Sequence, residues 1–92
     1  MTNQLYAICE CNRNNRFDTA LEYLFSALQE VNLATDKTPL EGILSYIEPT
    51  IEGAKGRFTF DEETINRYVK DLALCGSNEA LDLISKLYVL RA

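Results

Sequence analysis

Three short constellations in this chain carry residue types that do chemistry. The first is Cys9-x-Cys11, with Cys75 as a third thiol. A structural zinc site takes four ligands in a tetrahedral array. The chain contains no histidine to complete such a set. On a helix, residues two apart also point about 200° apart. Free thiols, buried or half-buried, are therefore expected. The second is the segment from Gly53 to Thr59, Gly-Ala-Lys-Gly-Arg-Phe-Thr. A phosphate loop needs Gly-x4-Gly-Lys-Ser/Thr between a strand and a helix. Spacing and context both differ, so the segment reads as a surface loop whose Lys55 and Arg57 are available to an acidic partner. The third is Asp61-Glu62-Glu63. It lacks the alternating acids, glycine and distant Glu of a calcium loop. General acid–base work needs two carboxylates converging in a pocket, which consecutive acids do not supply. These three read as the capped, dipole-favoured start of a helix.

The missing histidine has wider consequences. Ser-His and Cys-His nucleophile pairs are excluded, as is every metal site that uses histidine. No cofactor loop is present, and a non-enzymatic role is expected. The chain has 92 residues, the size of one domain spanning 1–92. It carries 14 acidic and 9 basic residues, a formal charge of −5. The acids run from Glu10 to Asp82 without forming a tail. Repulsion from phosphates argues against direct nucleic-acid binding unless the few Lys and Arg gather in space. A basic protein partner is the better match. No apolar run approaches the ~20 residues of a membrane span, and Met-Thr-Asn-Gln-Leu-Tyr does not open as a signal peptide does. Three cysteines in such a chain suggest reduced thiols in the cytoplasm.

The elements that position these residues follow from apolar spacing. From Arg16 to Asn32, Phe17, Ala20, Leu21, Leu24, Ala27, Leu28 and Val31 form one helical stripe. Asn15 is its expected N-cap, with Asp18 in the first turn. Thr38-Pro39-Leu40-Glu41 has the form of a capping box with proline at the first helical position. Pro49 is expected to end or kink that helix, giving a kink or a short extra turn before Gly53. Asp61 is an expected N-cap flanked by a Phe60/Ile65 staple. Gly76 then stops this helix, and Ser77 caps the last one. The last helix, Asn78 to about Leu90, spreads its apolar residues over half its circumference, which predicts a central position. Asn3 to Cys11 fits a short helix or a strand. With no second strand to pair with, helix is the better fit. The fold class is all-α: four to five short helices packed as a bundle or orthogonal array.

Residues 14–28, Asn-Asn-Arg-Phe-Asp-Thr-Ala-Leu-Glu-Tyr-Leu-Phe-Ser-Ala-Leu, resemble the second helix of a tetratricopeptide repeat. Phe17, Ala20, Leu24 and Ala27 stand at the spacing of that repeat. The Trp-x2-Leu-Gly pattern of its first helix and its closing proline are absent. Small alanines at a close helix crossing explain the likeness without common descent. Two function classes follow. The first is an acidic protein-binding module, an inhibitor, immunity or antitoxin type of protein that covers the surface of a basic enzyme. Its contacts would be Asp18, Glu22 and Tyr23, or Asp61, Glu62 and Glu63. The second is a scaffold or chaperone-like helical protein, a repeat fragment or homodimer subunit.

Overall fold

A computed structural model describes the backbone of residues 2–92 and the side chains of residues 8–92. The chain forms α1 (Thr2–Arg13), α2 (Phe17–Leu33), α3 (Leu40–Ala54), α4 (Glu62–Cys75) and α5 (Asn78–Leu87), then a 3₁₀ turn over Tyr88–Leu90. The all-α expectation is met, with five α-helices among the described residues, and Asn3 to Cys11 is helical. The one extended pairing among the described residues is an isolated bridge between Phe60 and Arg91. None of the described helices is long and apolar enough to cross a membrane.

The stripe on α2 becomes the centre of the core. Leu21, Leu24, Phe25, Leu28 and Val31 are all buried, and α2 packs against α1, α3 and α4. This corrects the expectation of a central last helix. The α5 helix does touch two neighbours, α3 and α4. However, it buries only Ala80, Leu83 and Leu87, while Leu81 is 53% and Tyr88 43% exposed. A wide apolar arc records residue types; only neighbouring elements decide which of them lose contact with water.

Local signals succeed where both partners lie within a few residues. Asp61 caps α4 by accepting from Thr64 N at 3.0 Å, and Ser77 caps α5 by accepting from Ala80 N at 3.1 Å. Gly76 closes α4 in the left-handed region, at φ 69°. Phe60 packs, half-buried, against the apolar core to which Ile65 belongs.

Four local expectations are corrected. Asn15 does not cap α2: it sits at φ 60° and closes α1 instead. Arg16 N donates to Cys11 O at 2.7 Å and Asn15 N to Asn12 O at 3.2 Å, the paired bonds of a Schellman ending. Asparagine tolerates this left-handed position better than most residues. Arg16 is left at the N-cap of α2, with no side-chain cap. Thr38 does not cap α3 either, since its hydroxyl and N–H both donate to Asp36 Oδ1, and no side chain caps that helix. Pro49 does not end α3, which runs on to Ala54. Pro49 and Ser45 are both exposed, so water can satisfy the carbonyl that the proline leaves without a donor. Finally, Gly53 is helical rather than the start of a loop. A Cβ there would lie 2.3 Å from Phe17 Cε1, so this glycine lets α2 and α3 approach closely.

Candidate docking surface

An acidic surface lies on α3 and α5. Burial of Ile43, Leu44, Ile47 and Ile51 on one side of α3 leaves Glu41, Ser45, Glu48 and Glu52 on the other, all exposed. Burial of Ala80, Leu83 and Leu87 likewise leaves Glu79 and Asp82 exposed on α5. The two helices run parallel. Lys86 Nζ meets Glu48 Oε1 at 2.6 Å, and seven residues earlier on each helix Glu41 and Glu79 line one cavity. Lys86 is held above its ordinary value, first by donating to Glu48 and then by the charges of Glu48, Asp82 and Glu52. The charges of three carboxylates thus act on one ammonium, and Glu48 is the one in contact with it. Among the described residues the ion pairs are Lys86–Glu48 and Arg13–Glu10. Glu41, Glu52, Glu79 and Asp82 make no ion-pair contact among the described residues.

Of the residues named from sequence, Glu22 is exposed and lines a small cleft of about 150 Å³ between α2 and α4, with Ser26, Gln29 and Arg67. Phe25 and Tyr68, stacked at 4.1 Å and 9°, form its aromatic wall. Burial pushes the Tyr68 phenol up; the Arg67 charge pulls the other way, and Glu22 reinforces the rise. Tyr23 is 41% exposed. Asp18 is half-buried, and its Oδ1 is enclosed without a hydrogen-bond partner among the described residues. Asp61 is engaged as a cap: hydrogen bonds from the Thr64 hydroxyl and N–H hold its carboxyl below the usual range. Glu62 and Glu63 are exposed.

Helix pairing explains how these two acidic groups relate. Phe25 stacks on Tyr68, Gln29 Nε2 donates to Asp71 Oδ2 at 3.0 Å, and Cys75 Sγ donates to Asn32 Oδ1 at 3.4 Å. The pairs advance together, so α2 and α4 run parallel and their acidic first turns share one end of the molecule. Sequence reasoning named these acids and missed Glu41, Glu48, Glu52, Glu79 and Asp82. The spacing of Glu41, Glu48 and Glu52 along one helix face was a usable signal; their meeting with α5 had none.

The thiols are free and half-buried. Burial pushes the Cys75 thiol up, partly offset by its hydrogen bond with Asn32. Among the described residues no three metal-ligating side chains converge. Lys55 and Arg57 are exposed, and Arg57 Cζ lies 5.8 Å from the centroid of the Phe17 ring. No family model, curated protein or solved structure matches the chain.

Proposed function

We propose that this protein is a non-enzymatic acidic module that binds a basic protein through the α3–α5 face, as an inhibitor, immunity protein or antitoxin covers its enzyme. The observation that carries this reading is the set of exposed carboxylates on α3 and α5: Glu48, Glu52 and Asp82 act on Lys86, and Glu41 and Glu79 line the neighbouring cavity. Such a surface speeds encounter with a basic patch. It also competes with nucleic-acid phosphates for that patch, while itself repelling nucleic acid. The reading places the protein in the cytoplasm, where its thiols stay reduced, and requires neither cofactor nor membrane.

The test is capture of the partner from the native host, followed by affinity measurements on the purified pair. Glu48→Lys with Glu52→Lys and Asp82→Lys should weaken binding at least tenfold, and added salt should weaken the wild-type complex. Glu22→Lys and the pair Glu62→Lys/Glu63→Lys test the surfaces named from sequence. An affinity indifferent to both salt and the triple reversal sinks the electrostatic reading.

A scaffold or homodimer role is the second reading. It is favoured by the exposed Leu81, Tyr88 and Val89 near the C-terminal end, an apolar surface of the kind that joins copies. It requires a molecular mass that rises with protein concentration.

A further inference from the structure

Next to the α3–α5 face, the α2–α3 connection and the start of α5 enclose an open cavity of about 450 Å³. Its size is that of a small-ligand site. Leu44, buried, and Leu40, half-buried, supply an apolar wall, and the exposed Glu41 and Glu79 supply carboxylates. The other polar groups around it are already engaged. The Lys37 ammonium donates to Val31 O at 2.7 Å and Asn32 O at 2.8 Å, closing the C-terminal end of α2. The Thr38 hydroxyl and N–H go to Asp36, and Ser77 Oγ accepts from Ala80 N.

The groups left to a ligand are an apolar wall and two carboxylates without ion pairs. That combination matches a flexible alkyl stem ending in a cation, whose methylenes lie on leucine while the head stays at the polar edge. The N-termini of α3 and α5 oppose a cation, each with about half a positive charge. The Lys37 ammonium also lines the cavity, but it is held against the last carbonyls of α2, the negative end of that helix. The two carboxylates together with that helix end outweigh Lys37 and the two N-termini, and the Ser77 cap has already satisfied one N–H of α5.

We propose that this cavity receives a lysine side chain of the protein partner, with its stem on Leu40 and Leu44 and its ammonium between Glu41 and Glu79. The inference rests on the basic-partner reading above and gives it a specific anchor. A single seated lysine supplies selectivity that a diffuse field does not.

The test is an NMR titration of the full chain with Nα-acetyl-lysine methylamide at constant ionic strength. Saturating shifts confined to residues 37–44 and 77–80 are expected. Nα-acetyl-norleucine methylamide, with the stem but no charge, should bind at least fivefold more weakly. So should the Glu41→Gln/Glu79→Gln variant with the lysine probe, whereas Glu62→Gln/Glu63→Gln should match wild type. Equal binding of the norleucine probe, tighter binding of Nα-acetyl-glutamate methylamide, or shifts spread over all exposed carboxylates would overturn the proposal. Tenfold tighter binding of 1,4-diaminobutane would overturn it in favour of a free polyamine. Loss of the pocket alone, with partner affinity still sensitive to Glu48, Glu52 and Asp82, would leave the acidic-face reading standing.

Discussion

Phe17 and Gly53 are packed so closely that a single methyl group does not fit between them. A Cβ on Gly53 would meet three atoms of the Phe17 ring at 2.3 to 2.7 Å. Alanine usually stabilises a helix relative to glycine by about 1 kcal/mol. Here the clash should reverse the sign, and Gly53→Ala should lower stability by about 1–3 kcal/mol as the ring is displaced. In a Phe17→Ala background the cost should largely vanish, because the two positions share one contact. Gly42→Ala, in a helix with nothing within 4 Å, should instead be neutral or stabilising by up to about 1 kcal/mol. Urea unfolding of the four variants and wild type checks the pattern; a Gly53→Ala protein as stable as wild type would show that the ring moves freely.

The helix ends make a second prediction. Asp61→Ala and Ser77→Ala each remove a cap hydrogen bond and should cost about 0.5–2 kcal/mol. Thr38→Ala removes no cap from α3 and should cost less than either. Asn15→Gly should equal or exceed wild type, because its φ of 60° suits glycine. Asn15→Ala should lose about 1 kcal/mol. Were Asn15 an N-cap, Asn15→Gly would lose a side-chain bond and fall below wild type.

The third concerns pH. Asp36 and Asp61 are held below their ordinary 3.8, chiefly by hydrogen bonds from Thr38 and Thr64. The native state thus binds these protons less tightly than the unfolded chain. Their contribution is present above 3.8 and is lost as pH falls through the depressed values. Burial raises Cys75 above 9.0 and Tyr68 above 10.0, so there the native state holds protons more tightly. That contribution is complete below those values and fades as pH rises through the raised ones. Lys86, raised above 10.5 by Glu48, acts in the same alkaline direction. Chemical denaturation across pH should show stability falling on both sides of a broad plateau. Cys75→Ser with Tyr68→Phe should flatten the alkaline slope, and Asp61→Asn the acid one; unchanged slopes would contradict these assignments.

The fourth concerns the last helix. Removing residues 81–92 takes away Leu83, Leu87 and Leu90, exposed by 2%, 0% and 0%. It also removes the bonds from Phe60 N to Leu90 O and from Ala92 N to Phe60 O, at 2.8 and 2.9 Å. At roughly 1.5–3 kcal/mol per buried leucine, the loss is about 5–9 kcal/mol, comparable to the whole stability of a small domain. The shortened chain should show no cooperative thermal transition by circular dichroism. A sharp melt would mean that α1 to α4 fold without this segment.

What the sequence determined by itself is local. Helical class follows from 3.6-residue apolar spacing, and the caps at Asp61 and Ser77 and the stop at Gly76 follow from partners at most four residues away. Even there, Asn15 shows the limit: its type suits either a cap or a left-handed ending, and the Cys11 carbonyl before it decided which. Tertiary structure alone decided the rest. Only packing made α2 central, left Leu81 and Tyr88 in water, and turned Gly53 from a loop signal into a contact with Phe17. Only the parallel alignment of α3 and α5 placed Glu41 beside Glu79 and Lys86 against Glu48. These pairs are 38 residues apart, and burial and charge density depend on such distant neighbours, which no short-range pattern encodes.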